Sequence, residues 1–161
     1  MQNDTELKEL FDRMFTYKDG HIEWQHPVKA MKNPAGRVNL RGYRYVNVNY
    51  KSYLVHRVIF LMHHGYLPKY VDHIDGNKTN NKIENLREAT HSQNILNSKR
   101  NSRNKSGVKG VFWCDKRKRY LAKFEMNNKW YWAGSFKNIE DADLALRKLR
   151  EKHQGEFARH E

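Results

Sequence analysis

The sequence predicts an α+β protein with two small folded parts, and three observations support this prediction. Apolar residues recur at helical spacing in some segments and at strand spacing in others, with Gly- and Asn-containing turn signals between them. A basic segment without large apolar groups, residues 99–107, interrupts the pattern. The length of 161 residues leaves room for two small domains. We therefore expect a first domain at residues 1–98, a linker at 99–107 and a second domain at 108–161.

The first domain is expected to begin with a short helix and to continue with strands and a second helix. Apolar residues from Leu7 to Phe15 recur at helical spacing after Asp4 and Thr5, which are suitable helix caps. Turn signals at 18–20 and 33–36 precede two short strands, 43–48 and 50–55. A second helix is predicted at 56–64, because the apolar run ends at a glycine followed by a proline.

Residues 71–97 predict a strand, a long polar loop, a return strand and a helix. The strands are expected at 71–74 and 86–89, and the loop opens at Asp75-Gly76. Thr90 and Gln93 have the spacing of a capping box, which predicts a helix from about 91 toward 99. This segment, the core of the first domain at 71–98, carries most of the polar residues that are suited to chemistry.

Hydrolysis of a phosphodiester requires an activated water, a cation near the developing negative charge and help for the leaving oxygen. Asp72 is a hard oxygen ligand suited to Mg²⁺, and His73 can take a proton from water near neutral pH. Asn94, on the first turn of the predicted helix, offers a further ligand oxygen, and Asn85 is placed to hold the loop. Taken singly, an Asp-His pair before a turn is more often a hydrogen-bonded loop anchor. Asn80, Asn81 and Asn85 could simply satisfy backbone groups in a long loop.

The joint pattern resembles the HNH endonuclease family, especially the homing endonucleases of phages and mobile introns. The resemblance rests on Val71-Asp72-His73-Ile74-Asp75-Gly76-Asn77-Lys78, Asn80-Asn81, Asn85-Leu86-Arg87 and Gln93-Asn94, and upstream on Gly42-Tyr43, His56-Arg57 and His64-Gly65-Tyr66-Leu67-Pro68. It implies a ββα-metal (His-Me finger) nuclease domain. His73 would be the general base, Asn85 would orient the loop and its histidine, and Asp72 and Asn94 would hold one divalent metal.

The last motif residue, Asn94, resembles the His-Asn-Asn subtype of this family. An all-oxygen ligand set favours Mg²⁺ or Mn²⁺ over zinc. A structural zinc site is not expected, because the chain has a single cysteine, Cys114. No segment approaches the roughly 20 apolar residues of a membrane span, so we expect no membrane partner and a cytoplasmic location in a bacterial or phage-infected cell.

The second domain is predicted to be a three-stranded antiparallel sheet packed on one helix. The strands are expected at 108–113, 120–126 and 129–135, with a hairpin turn at Asn127-Asn128. A helix at 139–152 would cover one face of the sheet through an apolar stripe consisting of Ala142, Leu144, Ala145 and Leu149.

This part resembles the ethylene-response-factor type of DNA-binding domain. The resemblance rests on Gly107-Val108-Lys109-Gly110-Val111, Tyr120-Leu121-Ala122-Lys123-Phe124, Trp132-Ala133-Gly134-Ser135-Phe136 and Asp141-Ala142. It implies DNA contacts from the exposed strand face, at Lys109, Phe112, Lys123, Trp130 and Trp132. Several arginines of that family are replaced here, and the two tryptophans fit a small core equally well. Further candidates for DNA contact are Arg100, Arg103, Arg57 and His56.

The charge of the chain also favours nucleic acid as the partner. The chain has 31 Lys and Arg against 18 Asp and Glu, a net +13, divided as +4 in residues 1–98 and +9 in residues 99–161. Such a balance is typical of proteins that bind nucleic acid. The leading hypothesis is a metal-dependent DNA endonuclease that acts as a monomer on double-stranded DNA. The alternatives are a catalytically inactive DNA-binding regulator with the same two folds and a structural or RNA-binding basic protein.

Overall fold

The chain divides into two compact units, Met1–Ala89 and Thr90–Glu161. The computed structural model describes residues 3–28, 32–98, 100–101 and 103–160. The division lies about ten residues before the predicted linker, and Lys99 and Ser102 of that linker lie outside the described residues. No helix in the described part of the chain combines the length and apolar character needed to cross a bilayer.

The described residues of the first unit form two α-helices, one short 3-10 helix and three small antiparallel sheets. Its elements are α1 (Asp4–Met14), β1 (Phe15–Lys18), β2 (His21–Trp24), β3 (Arg37–Val38), β4 (Arg44–Val48), β5 (Lys51–Leu54), α2 (Val55–His64), β6 (Tyr70–His73), a short 3-10 helix (Ile83–Asn85) and β7 (Leu86–Ala89). β1 pairs with β2, β4 lies between β3 and β5, and β6 pairs with β7.

Local sequence explains the tight turns of the first unit. Asp19 and Gly20 connect β1 to β2 with φ angles of 41° and 86°, and Asn49 and Tyr50 connect β4 to β5 with φ angles of 49° and 62°. Two consecutive residues with positive φ are the requirement of a type I′ turn, whose twist matches that of paired strands. The turn expected at 18–20 is therefore confirmed.

The cap of α1 differs from the prediction. Asn3, rather than Asp4 or Thr5, caps the helix, because its side-chain oxygen accepts the backbone N–H of Glu6 at 2.8 Å. Asp4 lies inside the first turn, and its carboxylate accepts the backbone N–H of Leu67 at 2.8 Å. This bond joins the start of α1 to the segment that follows α2.

α2 is the centre of the first core. Its residues Val55, Val58, Ile59, Phe60 and Leu61 are buried, and they pack with Phe11, Phe15, Ile22, Val46 and Val48 from the surrounding elements. The helix ends at Gly65, whose φ of 77° is the left-handed conformation that favours glycine. The predicted helix is thus confirmed. The same core includes Val71 and Leu86, which anchor the β6–β7 hairpin.

The second unit is a three-stranded sheet with helices. Its elements are α3 (His91–Leu96), β8 (Val111–Cys114), β9 (Arg119–Met126), β10 (Lys129–Phe136), α4 (Ile139–Gln154) and a short 3-10 helix (Gly155–Phe157), with the antiparallel strand order β10-β9-β8. Asn127 and Asn128 form the β9–β10 turn with φ angles of 52° and 61°. The predicted sheet, turn and long helix are confirmed.

α3 belongs to the second unit for a physical reason. Its Leu96 is buried in the second core, and the Lys109 ammonium donates to the Leu96 carbonyl oxygen and, at 2.6 Å, to that of Ser98. Asn104 and Ser106 of the predicted linker donate to the Val108 carbonyl oxygen at 2.7 and 3.1 Å. A polar segment that looks like a linker by composition is therefore tied into the second unit by hydrogen bonds.

The buried face of α4 also differs from the prediction. Leu144 is 56% exposed, whereas Ala142, Leu146 and Arg150 are buried, as positions four residues apart on one helical face should be. The Arg150 guanidinium donates to the Lys109 carbonyl oxygen at 2.7 Å. Burial lowers the pKa of Arg150 to about 10; the Arg147 charge adds to this effect and the Asp143 charge opposes it.

Candidate active site

The β6–β7 hairpin holds Asp72 and His73 in the first unit. In its antiparallel register Asp72 lies opposite Arg87, and His73 lies opposite Leu86. Successive strand residues point to opposite faces, yet Asp72 is only 5% exposed and His73 only 4%. Both faces of this short hairpin are therefore covered, and the two adjacent residues occupy different protein environments.

The His73 ring is surrounded by other rings and by an amide. Its Nε2 lies 2.9 Å from Oδ1 of Asn81, which is itself buried. The His56 ring approaches His73 edge-on with 4.9 Å between centroids, and the Tyr43 ring lies 6.2 Å away. These contacts restrain the orientation of the imidazole.

His56 is a member of this ring cluster and is 5% exposed. Burial is the main reason that its pKa falls to about 3, and the charges of His73 and Arg57 lower it further. His56 is therefore neutral near pH 7. The sequence predicted His56 at a DNA-facing edge, but the structure places it inside the unit because it lies on the buried side of α2.

The Asp72 carboxylate accepts a hydrogen bond from Arg87 Nε at 3.1 Å, and both side chains are largely buried. Burial raises the pKa of Tyr43, and the Asp72 charge raises it further. A carboxylate has two oxygens and about four lone-pair sites, so an arginine partner is compatible with metal ligation. Among the described residues no group of three or more His, Cys, Asp or Glu side chains is placed to hold a metal ion. The metal-ligand role expected of Asp72 remains a prediction from the sequence.

Asn85 holds the loop between the two strands. Its side-chain oxygen accepts the Asp75 N–H at 3.0 Å, and its amide donates to Asp75 Oδ1 at 2.9 Å and to the Asn80 carbonyl oxygen at 2.7 Å. Burial raises the pKa of Asp75, but hydrogen bonds from Asn80, the Asn77 N–H and Asn85 outweigh it, so the pKa lies below its ordinary value. A carboxylate that stays ionised keeps the loop closed.

Asn81 is the site residue that sequence reasoning missed. From the sequence, Asn81, like Asn80 and Asn85, could simply satisfy backbone groups of a polar loop, whereas in the structure its side chain contacts the ring of His73. Its place in the resemblance, beside Asn80, was a signal that it has a role of its own. The loop sequence contains several asparagines, and only the folded loop distinguishes the one that reaches the histidine.

Asn94 lies in α3 of the second unit and is half-buried. The capping box predicted for this helix is present: Thr90 Oγ1 accepts the Gln93 N–H at 3.2 Å, and Gln93 accepts the Thr90 N–H at 2.7 Å. The metal-ligand role expected of Asn94 remains a prediction from the sequence.

The second unit exposes an aromatic sheet face on the side away from α4. Phe112, Trp130 and Trp132 are 39%, 60% and 49% exposed, so the alternative that the tryptophans form a core is wrong. Trp132 lies opposite Lys123 in the register, and the Lys123 ammonium is 4.0 Å from the Trp130 ring centroid and 5.4 Å from that of Phe112. The Lys123 ammonium therefore lies among exposed rings, and the DNA-contact role expected of this face remains a prediction from the sequence.

Two basic residues from the expected DNA-binding set are engaged in internal contacts. Burial lowers the pKa of Lys109 to about 8, with the charges of Arg150 and Arg159 adding to the effect, and its ammonium donates to the end of α3. Arg57 donates to the carbonyl oxygens of Pro68 and Lys69 at 3.1 Å each, and burial lowers its pKa. These contacts favour structural roles. Arg100 and Arg103 are exposed.

Comparison with known proteins shows the family to which this chain is related. A sequence model of the HNH endonuclease family matches residues 53–96. This segment carries Asp72, His73, Asn81 and Asn85. Protein 3.8 of Escherichia phage T7 is 35% identical over 112 residues, which cover 68% of this chain and 92% of that protein. The chain therefore contains an HNH endonuclease domain and belongs to the same family as that phage protein.

Two further relatives match shorter stretches. An uncharacterized HNH endonuclease of Acanthamoeba polyphaga mimivirus is 50% identical over 60 residues, covering 35% of this chain and 32% of that protein. YosQ, encoded by the SPbeta prophage of Bacillus subtilis (strain 168), is 36% identical over 74 residues, which cover 45% of this chain and 42% of that protein. YosQ is named provisionally as an HNH homing endonuclease. No solved structure matches the chain.

Proposed function

We propose that this protein is a metal-dependent DNA endonuclease of the homing type, which hydrolyses phosphodiester bonds in double-stranded DNA as a monomer. The observation that carries the proposal is the buried His73, hydrogen-bonded to Asn81 and adjacent to Asp72, within the segment that matches the HNH endonuclease family. General-base activation of water requires an imidazole held in a fixed orientation, and the contact with Asn81 supplies such a restraint.

Each residue of the site has a distinct role in this proposal. His73 accepts the proton of the attacking water, and the ring contacts with His56 and Tyr43 hold it in place. Asn85 keeps the loop closed through Asp75 and Asn80. Asp72 is a ligand for Mg²⁺ or Mn²⁺, and the role of Asn94 as the other ligand rests on the sequence resemblance alone. A divalent cation at Asp72 would stabilise the negative charge that develops on the phosphate and the leaving oxygen.

DNA affinity is proposed to come largely from the second unit. Residues 99–161 carry a net charge of +9, and the exposed sheet face presents Lys123 among aromatic rings. Strands are an established means of reading the DNA grooves, and lysines and arginines neutralise phosphates. We assign DNA contact to Phe112, Lys123, Trp130, Trp132, Arg100 and Arg103.

A plasmid assay tests the proposal. Supercoiled plasmid should be cut in Mg²⁺ and remain intact in excess chelator. His73→Ala should bind DNA normally but cut about 10²–10⁴-fold more slowly, the contribution typical of a general base. His26→Ala, at an exposed histidine, serves as the control and should cut at the wild-type rate.

The results separate the hypotheses. Binding without cleavage by the wild-type protein, in Mg²⁺ and in Mn²⁺, would support the inactive DNA-binding regulator instead. Cleavage by His73→Ala at near wild-type rate would remove His73 from the mechanism. Sequencing of the cut ends of a long genomic DNA tests the homing character, since breaks scattered without preference would contradict it.

A further inference from the structure

The sheet of the second unit exposes three large rings, Phe112, Trp130 and Trp132, which form a ring face on the side away from α4. We propose that this ring face binds DNA that is single-stranded or locally unpaired, by stacking of unpaired bases on the rings. The inference rests on the proposed function for the choice of DNA as the partner. It adds the form of DNA that the second unit recognises.

The strand register brings the rings together. Trp130 and Trp132 are two residues apart on β10, so their side chains point to the same side of the sheet. Across the sheet they lie opposite Glu125 and Lys123 of β9. Phe112 of the edge strand β8 shares this side, because the Lys123 ammonium is 5.4 Å from its ring centroid. The rings therefore cross all three strands as one exposed apolar surface, a feature that marks a binding site on a protein of this charge.

The polar groups among these rings are few for reading an intact duplex. In a duplex the bases cover one another by stacking, and a protein reads the hydrogen-bonding edges in the grooves. Apart from the indole N–H groups, the described hydrogen-bonding side chains between the rings are Lys123 and Glu125. The Lys123 ammonium lies 4.0 Å from the Trp130 ring centroid, in a cation–π contact. The Glu125 carboxylate repels phosphates, although it suits the amino groups of an unpaired base.

The spacing of the rings also suits an unpaired strand. Each strand residue rises about 3.4 Å, so Trp130 and Trp132 are about 6.8 Å apart along β10. This spacing is about twice the 3.4 Å rise between successive bases of a duplex strand. Successive bases that stack on the two rings must therefore separate from each other. An unpaired strand does this readily, whereas an intact duplex must be unstacked at a cost in free energy.

A basic cleft continues the ring face beyond the edge strand. It encloses about 640 Å³, and its lining includes Phe112, Trp113 and Tyr120 together with the exposed Arg103 and Lys105. Clefts of this volume hold ligands of the size of a nucleotide. Aromatic side chains beside cations are the combination that binds single strands, because bases stack on the rings while the cations contact phosphates. Phe112 belongs to both surfaces, so the ring face and the cleft are continuous.

Further cations border the ring face at the β8–β9 turn. Residues 116–119 are four consecutive exposed lysines and arginines, in the turn and at the start of β9. Such charges attract the phosphates of any nucleic acid, which favours nucleic acid over a protein as the occupant. Exposed rings add affinity where the faces of the bases are accessible. The cations therefore supply attraction to DNA in general, and the rings select its unpaired form.

The first test follows the tryptophans of the wild-type protein. Full-length, ¹⁵N-labelled protein in excess chelator, which prevents cleavage, is titrated with a DNA single strand, its perfect duplex and a duplex with an unpaired centre. The indole N–H signals are assigned with the variants described next. Ring currents of stacked bases should shift the signals of Trp130 and Trp132 strongly with both unpaired probes and little with the perfect duplex. Equal shifts with the perfect duplex would overturn the proposal.

The second test compares two substitutions that differ in keeping a ring. Trp130→Leu should weaken binding to the single strand about 5–150-fold, the range typical of one stacked base, and should leave affinity for the perfect duplex largely unchanged. Trp130→Phe should retain most of the affinity for the single strand. Leu144→Ala, at an exposed apolar residue of α4, is the control and should change neither affinity. Fluorescence anisotropy of labelled probes in chelator measures all of these affinities.

Every outcome decides for or against the proposal. Equal weakening of single-strand and duplex binding by Trp130→Leu would mean that the ring face contacts a groove. No weakening of either would mean that it serves a protein partner. Tighter binding of an RNA strand than of a DNA strand with the same sequence would refute the choice of DNA. If Trp130→Leu does not fold, the wild-type indole shifts and Trp130→Phe still decide.

These measurements are independent of cleavage. A protein that cuts no plasmid but shows the expected indole shifts and affinities loses the nuclease function and keeps the role of the ring face. A nuclease that cuts plasmid but shows equal shifts with single strand and perfect duplex keeps its function and loses this role.

Discussion

Burial of His56 should make the first unit sensitive to acid. In the unfolded chain this histidine takes up a proton below its ordinary pKa of 6.5, whereas in the folded unit its pKa is about 3. The unfolded state therefore binds more protons throughout the range between these values, and stability falls as the pH falls from about 7 toward 3. Above pH 7 the His56 ring is neutral in both the folded and the unfolded state, so it no longer lowers the stability.

The size of the effect follows from the two pKa values. One pKa unit corresponds to about 1.4 kcal/mol. Because pH 5 lies about 1.5 units below the unfolded-state pKa of 6.5, the free energy of unfolding at pH 5 is lower by about 2 kcal/mol than at neutral pH. At pH 6 the same relation gives a loss of about 0.8 kcal/mol in the free energy of unfolding. The groups that face His56 are Tyr43, His73 and Arg57, and two of them, His73 and Arg57, contribute through their positive charge to the lowered pKa of His56.

His56→Leu isolates this contribution, because leucine fills a similar volume without titrating. Urea unfolding is measured at pH 8, 6 and 5 from the methyl NMR signals of Ile59 and Leu61, which are buried in the first core. Between pH 8 and pH 5 the wild type should lose about 2 kcal/mol more stability than His56→Leu. The exposed His26→Leu is the control, since an exposed side chain meets similar solvent in both states. An equal pH dependence in wild type and His56→Leu would refute the argument.

Three further predictions concern the metal, DNA binding and the second core. Calorimetric titration with Mn²⁺ should show only weak binding to the protein without DNA, because Asp72 supplies one carboxylate; one tightly held zinc per chain would contradict this. Lys123→Ala should weaken binding to specific and random DNA duplexes alike, and it should lower the slope of log K against log salt concentration by about 1. Lys116→Ala, at an exposed lysine before β9, is the control and gives the effect of removing an ordinary surface charge. Gly110→Ala should lower the Tm more than Gly107→Ala. Both glycines have positive φ, but only at Gly110 would a Cβ lie 2.6 Å from the Arg150 guanidinium and 2.7 Å from the Lys123 carbonyl oxygen. Equal losses of stability, about 1–2 kcal/mol for each variant, would mean that backbone strain alone destabilises them.

Features that depend on neighbouring residues were predictable from the sequence. The capping box of Thr90 and Gln93, the helix end at Gly65 and the Asn127-Asn128 turn are each determined by a few adjacent side chains and backbone angles. The β6–β7 hairpin with Asp72 and His73 was also predictable, because strand periodicity and loop composition are local signals. The same holds for the alternation that leaves Trp130 and Trp132 on one face of β10.

Features that depend on distant residues required the tertiary structure. Composition marked residues 99–107 as a linker, but Leu96, Lys109 and Ser106 join this region to the second unit through contacts that no local pattern contains. The burial of His56 follows from the way α2 packs between α1 and the sheets. The sequence by itself thus determined which residues form the HNH motif, since motif spacing is a property of the chain. Only the fold decided that Asn81, among several loop asparagines, meets the His73 ring, because hydrogen bonding depends on distances that tertiary packing creates.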